Sequence, residues 1–179
     1  MRNNEKANNS INEMILTSLM IALVFIGGYI IKIPTINGFV QVGDCMVFVS
    51  AVILGKRKAF LAGALGMSLV DFAAGYIYWI PFTFVIKGLM AYLAAYYIEK
   101  RREKNIKVYI VAFILGAILD VVGYYISNAI VGGIILKVVS GFSASIAYAT
   151  AHLLGDITGV GIGVLIAIPL VGIFKRIKK

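Results

Sequence analysis

Seven charged residues lie inside or beside long apolar stretches, apart from the charged clusters of the chain. They are Asp44, Asp71, Asp120, Asp156, Lys32, Lys87 and Lys137. An ion in the hydrocarbon of a bilayer is costly, so it normally faces an opposite charge or a wet cavity. At about 1.5 Å per helical residue, Asp71 and Asp120 lie past the middle of their stretches. Lys87 and Asp156 lie early in theirs. Because successive spans run in opposite directions, all four fall in one half of a membrane, which predicts a polar pocket there.

Two pairs of residues, each with at least one of these charged residues, allow two interpretations. His152 and Asp156 are four residues apart in the run HLLGDITG (residues 152–159), so they share one face of a helix. That face either contacts a ligand or holds an internal hydrogen bond between the two side chains. Asp71 and Lys87 either form an ion pair that links two helices without a ligand role, or contact a ligand.

Further candidates for ligand contact are uncharged. Trp79, Tyr78 and Tyr124 are aromatic, and aromatic residues near a membrane surface serve either as interface anchors or as stacking partners. Asn37 lies in a Pro- and Gly-containing segment, residues 32–38, that is predicted to be an external loop. Cys45 and His152 are each the single residue of their type, so we expect no disulfide, no zinc site and no metal or other cofactor.

Composition places these residues in a membrane protein. The chain has 179 residues, of which 61% are hydrophobic and 14% charged, and its mean hydropathy is +0.95. We expect an all-α integral membrane protein, a single domain of residues 1–179 with six transmembrane helices. The predicted spans are residues 15–31, 43–54, 59–74, 82–98, 108–127 and 147–173. The start of the last span is open, because residues 140–151 suit either a loop or a helix.

The basic residues set the orientation. Of the 17 lysines and arginines, 14 lie in four segments on the same side of the predicted spans. These are a polar N-terminal segment (residues 1–10), residues 56–58, a loop (residues 99–107) and a C-terminal tail (residues 174–179). The positive-inside rule makes both termini cytoplasmic and the pocket outward-facing. The net charge of +9 is therefore a topology signal and does not indicate nucleic-acid binding.

An ordered string of short motifs supports a more specific interpretation. It comprises VGD (42–44), LG (54–55), LAGALG (61–66), Asp71, GY (75–76), WIPFT (79–83) and IKGL (86–89). This string resembles the substrate-binding S components of energy-coupling factor (ECF) transporters, in the riboflavin-transporter-like group that includes pyridoxine and hydroxymethylpyrimidine types. The resemblance covers nearly the whole chain.

The resemblance implies a transporter subunit in a prokaryotic cell membrane that binds a vitamin near the outer face. Its partners would be a transmembrane coupling subunit and two ATPases, and this chain has no P-loop of its own. Family members carry small residues four apart on the first helix that contact the coupling subunit, and the nearest match is Ser18 with Ala22. Pyridoxine or hydroxymethylpyrimidine is the leading expectation for the substrate, and riboflavin is the second.

Two features leave the substrate and the function class open. Family members often have Pro-Gly-Asn and then Gln in the last helix, where this chain has Leu154, Gly155, Asp156 and Gly159, so its ligand chemistry differs. An intramembrane enzyme using Asp71, Asp120 and Asp156 is the alternative from another class, although a single histidine and the lack of a paired-carboxylate motif weigh against it. A small channel or structural membrane protein is the third possibility.

Overall fold

A computed structural model describes the backbone of residues 2–30, 32–35 and 38–177, and the side chains of residues 10–30 and 42–173. Within these residues the chain forms six α-helices and one β-hairpin. The helices are α1 (Arg2–Tyr29), α2 (Gly43–Leu54), α3 (Lys56–Ala73), α4 (Ile80–Glu99), α5 (Ile106–Ile130) and α6 (Phe142–Ile177). The strands are β1 (Lys32–Thr35) and β2 (Gly38–Gln41). A 3₁₀ turn (Ile77–Trp79) precedes α4, and a π-helical segment (Val131–Ile135) follows α5.

Four helical segments of the described chain are long and apolar enough to cross a membrane. They are Ser10–Tyr29, Ile77–Glu99, Ile106–Ile135 and Phe142–Ile173. The other two helices differ in kind. With 12 residues, α2 extends about 18 Å, less than the roughly 30 Å of bilayer hydrocarbon. The third helix has 18 residues but begins with three cations and carries Asp71 near its end.

The short helix α2 occupies the centre of the bundle. It packs against α1, α3, α4 and α6, and most of its side chains are buried. A helix surrounded by protein need not match the bilayer thickness, which explains why α2 forms without the extended ends expected from its length. Gly55 separates α2 from α3 with φ at 76°, a left-handed conformation that favours glycine.

The all-α prediction is confirmed except at one short segment. Residues 32–38 are predicted to form an external loop, whereas residues 32–35 and 38–41 form an antiparallel hairpin in which Lys32 pairs with Gln41 and Thr35 with Gly38. Pairing within the hairpin satisfies backbone groups that a loop would leave to water.

Three helix ends also differ from the prediction. α1 begins at Arg2, within the segment expected to be a polar tail, and α6 extends to Ile177, into the basic tail. The start of α6 at Phe142 agrees with the helical alternative that was open for residues 140–151. Residues 128–137, expected to form a weakly helical connection, remain helical as far as Ile135. Gly132 and Gly133 explain that last difference, because a Cβ on either would collide with Tyr148 or Ser145 of α6. These glycines therefore permit close helix packing and do not form a turn.

Candidate functional site

A cavity of about 280 Å³ lies at one end of the bundle, at the end of α3 and the start of α4. This end is opposite to the basic loop that joins α4 and α5. Five helices and the 3₁₀ turn contribute to the wall. The lining residues are Asp44, Asp71, Tyr76, Trp79, Thr83, Lys87, Asp120, Tyr124, Asn128, His152, Gly155, Asp156, Gly159 and Val160. Five of the seven charged residues singled out from the sequence therefore meet at one place, namely Asp44, Asp71, Lys87, Asp120 and Asp156. Lys137 is not among the lining residues, and the side chain of Lys32 lies outside the described ones.

Three of these residues form a buried ionic triad, which consists of Lys87 of α4, Asp44 of α2 and Asp120 of α5. Lys87 Nζ donates to Asp44 Oδ1 at 2.6 Å. The same nitrogen lies 3.0 Å from Asp120 Oδ1 and 3.1 Å from Asp120 Oδ2. The three residues are only 2 to 4% exposed. The triad thus links three helices through charges that are withdrawn from solvent.

The predicted Asp71–Lys87 pair is not the ion pair that forms. The described ion pairs of Lys87 go to Asp44 and Asp120 instead, because α2 is central and brings Asp44 against α4. Close backbone approaches support this arrangement. A Cβ on Gly163 of α6 would lie 2.7 Å from the Asp44 Cβ, and one on Gly63 of α3 would lie 2.7 Å from the Lys87 carbonyl oxygen.

Asp71 has a different environment from the two carboxylates of the triad. Its side chain is half-buried and lines the cavity, and its Oδ2 atom is buried without a hydrogen-bond partner among the described residues. Thr83 is next to it, and the Thr83 hydroxyl also lies 3.2 Å from the Tyr124 hydroxyl. An unsatisfied carboxylate oxygen is uncommon in a folded protein and calls for a partner.

The α6 wall carries His152 and Asp156, but they are bonded to different groups. Asp156 accepts a hydrogen bond of 3.1 Å from the Asn128 amide. His152 Nδ1 lies 2.9 Å from the Tyr148 carbonyl oxygen, which fits a proton on Nδ1, and its ring packs on the Tyr148 ring at 4.5 Å. The internal hydrogen bond considered between His152 and Asp156 is therefore replaced by separate contacts.

Aromatic rings close the side of the cavity between the 3₁₀ turn and α5. The ring centroids of Trp79 and Tyr124 are 6.1 Å apart, and Lys87 Nζ lies 5.0 Å from the Tyr124 centroid. Aromatic faces of this kind suit a flat ring. Opposite them, a Cβ added at Gly155 or Gly159 would meet nothing within 4 Å, so these glycines leave the cavity open on the α6 side.

The three carboxylates of the enzyme alternative have separate environments. Asp120 is held by Lys87 and Asp156 by Asn128, while Asp71 is near Thr83. Among the side chains that the structure describes, no group of three or more His, Cys, Asp or Glu is arranged to hold a metal. The arrangement suits binding of a small polar ring better than acid–base catalysis by paired carboxylates.

Comparison with known proteins identifies the family. The family profile described as "ECF-type riboflavin transporter, S component" matches residues 8–179, nearly the whole chain. The chain belongs to this family. It is therefore a transporter S component, a substrate-binding subunit, and a multi-pass membrane protein.

Two relatives add detail. This S component is 25% identical over 129 residues to "Thiamine precursor transporter HmpT" of Lactococcus lactis subsp. cremoris (strain MG1363), covering 70% of this chain and 72% of that protein. It is 33% identical over 94 residues to "Uncharacterized protein in gap 3'region" of Pyrococcus woesei. That match covers 52% of this chain and 62% of the Pyrococcus protein.

Five of the seven ligand-contact candidates in this S component line the cavity. They are Asp156, His152, Lys87, Trp79 and Tyr124. Tyr78 is outside the lining and 60% exposed, and Asn37 lies outside the described residues. Three polar lining residues were not among the candidates predicted from the sequence, namely Tyr76, Thr83 and Asn128. Asn128 had a usable signal, because Asp120, Tyr124 and Asn128 are spaced four apart and so share one helix face.

Ser18 and Ala22 lie on the outer face of α1, which is the side of this helix that points away from the other helices. Neither residue is near the cavity. Both are exposed, while Met20 and Val24 on the other side of the helix are buried in the bundle. Exposed apolar residues, including Leu19 and others along α1, surround them. Their exposure means that neither side chain is packed inside the bundle.

Proposed function

We propose that this S component binds a small heteroaromatic vitamin or vitamin precursor in the 280 Å³ cavity and delivers it for uptake by an ECF-type importer. Hydroxymethylpyrimidine is the leading candidate substrate. Pyridoxine, a single-ring compound of similar size, is a candidate of the same kind. The observation that carries this proposal is a small cavity with aromatic and carboxylate walls.

Cavity size favours a single ring. Ligand pockets commonly measure about 300 to 1,000 Å³, so a volume of about 280 Å³ is at the lower end. A substituted pyrimidine or pyridine suits this volume, whereas the three fused rings and ribityl chain of riboflavin need more space. The family description favours riboflavin and keeps it as the second candidate. The name of the Lactococcus relative, a thiamine precursor transporter, supports the smaller ring.

We further propose that the chain crosses the cell membrane of a prokaryote six times, with the short α2 as one crossing enclosed by other helices, with both termini cytoplasmic and with the cavity open to the outside. The distribution of basic residues supports this orientation. The polar substrate would then enter from the outer side. Reporters fused to each terminus test it, and an external signal from either one would contradict it.

The partners in this proposal are a transmembrane coupling subunit and two ATPase subunits. The exposed outer face of α1, with Ser18 and Ala22 at its centre, is the proposed contact for the coupling subunit, because small residues permit close helix approach in lipid. The protein alone should bind substrate without pumping it. Accumulation against a gradient by membranes that contain this chain without partners would contradict this.

The direct test is binding by the purified protein in detergent. Mass spectrometry of small molecules released from protein purified without added ligand should detect a single-ring heterocycle. Calorimetric titration with hydroxymethylpyrimidine, pyridoxine and riboflavin should give tight binding for one of the two smaller compounds and weak binding for riboflavin. Tight binding of riboflavin alone would overturn the size argument, and binding of none would overturn the function.

A further inference from the structure

The charges around the cavity do not balance. Among the described lining residues, four carboxylates face one ammonium group, that of Lys87. Lys87 donates hydrogen bonds to Asp44 at 2.6 Å and to Asp120 at 3.1 Å, so two of its three donors are committed within the protein. The carboxylates of Asp71 and Asp156 remain without a described cation. A ligand that complements this cavity should therefore bring hydrogen-bond donors or positive charge.

Asp71 is the less satisfied of these two carboxylates. Each has one polar neighbour, Asn128 for Asp156 and Thr83 for Asp71, but Asp71 Oδ2 is buried and has no hydrogen-bond partner among the described residues. A buried acceptor without a donor costs free energy comparable to a lost hydrogen bond. Such a cost is expected where a bound ligand supplies the missing donor.

The backbone holds Asp71 beside the aromatic wall of the cavity, which is formed by the rings of Trp79 and Tyr124. The chain folds back after α3, so that the Tyr76 amide donates to the Asp71 carbonyl oxygen at 2.8 Å. The Trp79 amide then donates to the Tyr76 carbonyl oxygen at 2.9 Å. These two bonds fix Tyr76 and Trp79 close to Asp71 on one side of the cavity. A flat ring that stacks on this wall can present a polar group on its edge to the Asp71 carboxylate.

We propose that Asp71 accepts a charge-assisted hydrogen bond from an amino group on the ring of the bound heterocycle. This inference rests on the proposed function and specifies its substrate class. An ionised carboxylate only accepts hydrogen bonds. It therefore favours an amino-substituted ring and disfavours the isostere with a carbonyl oxygen at the same position, which would place two acceptors together. Asp71 is thus a specificity-determining residue.

The test compares two probes of nearly identical shape. One is hydroxymethylpyrimidine, which has an amino group on the ring, and the other is its pyrimidinone analogue, in which a carbonyl oxygen replaces that amino group. Calorimetric titration of the wild-type protein should show about 10- to 100-fold tighter binding of the amino compound. In Asp71→Asn the two affinities should converge, because a carboxamide both donates and accepts. Glu13→Gln, a carboxylate-to-amide change in a surface ion pair far from the cavity, should preserve the wild-type ratio.

The outcomes separate the two levels of the proposal. Failure of the wild-type protein to bind either probe would overturn the proposed pyrimidine substrate together with this inference. Binding with an unchanged ratio in Asp71→Asn would overturn the role of Asp71 and leave the proposed function intact. If Asp71→Asn does not fold, as its melting curve would show, the wild-type ratio decides alone, and equal affinity for the two probes refutes the inference.

Discussion

Replacing Lys87 by Met keeps most of the side-chain volume but removes the charge at the centre of the buried triad. Asp44 and Asp120 would then face each other's charge without a counterion, at 4% and 2% exposure. Breaking a buried ion pair by removing one partner costs about 3 to 5 kcal/mol, because the remaining charge stays desolvated. We therefore expect Lys87→Met to lower stability strongly.

A matched substitution tests whether burial is the cause. Lys58 Nζ lies 2.6 Å from Glu13 Oε2, the same distance as the Lys87–Asp44 contact, but these two side chains are 34% and 61% exposed. Exposed pairs contribute about 0 to 1 kcal/mol. At about 2 to 4 °C per kcal/mol for a chain of this length, Lys87→Met should lower the melting temperature by about 6 to 20 °C. Lys58→Met should lower it by at most about 4 °C.

Thermal unfolding of both variants in the same detergent measures the difference. A further comparison, Asp44→Asn combined with Lys87→Met, should lose less stability than the sum of the two single substitutions, because it removes one of the stranded carboxylates. Equal melting shifts for Lys87→Met and Lys58→Met would refute the assignment of the triad as a structural link.

Three further predictions, two with a second substitution for comparison, concern the cavity and the outer face of α1. Gly159→Leu should abolish vitamin binding in titrations while leaving the melting temperature nearly unchanged, since its side chain would extend into open space, and Gly172→Leu, also open but outside the lining, should bind normally. Ser18→Trp should prevent co-purification with the coupling subunit without changing vitamin affinity, and loss of both would contradict the α1 assignment. Asp156→Asn should weaken binding by about 1 to 3 kcal/mol. If Asp156→Asn and His152→Gln instead lower only the melting temperature, both residues are structural and neither contacts the ligand.

Several charged residues of the cavity could be predicted from the sequence because placing an ion in the hydrocarbon of a membrane costs free energy. Asp71, Lys87 and Asp120 were singled out because each interrupts an apolar stretch, and they do meet at one end of the bundle. The pairing of Lys87 was not predictable in the same way. It depends on the central position of α2, which is set by packing between distant segments, such as Gly163 against Asp44.

Helix ends were predicted less well because local signals have two meanings. Gly132 and Gly133 suggested that the helix is interrupted, but in the structure they allow Tyr148 and Ser145 of the neighbouring α6 to pack closely against the backbone. Single-residue propensity cannot distinguish a turn glycine from a packing glycine, since both need only the missing side chain. The consequence for the site was the omission of Asn128, which was assigned to a connection and lies in α5.

The four carboxylates of the cavity form two groups, and substitutions in the two groups should have different effects on folding and on ligand preference. Asp44 and Asp120 are committed to Lys87, so altering them would disturb the packing of α2, α4 and α5 before it altered ligand preference. Asp71 of α3 and Asp156 of α6 have no described ion pair, and Gly155 and Gly159 of α6 leave open space. Substitutions at these four positions can change the hydrogen-bond donors, the charge or the volume of the cavity with little loss of stability. A shift of substrate in this fold should therefore arise on α3 and α6, while the ionic triad stays fixed.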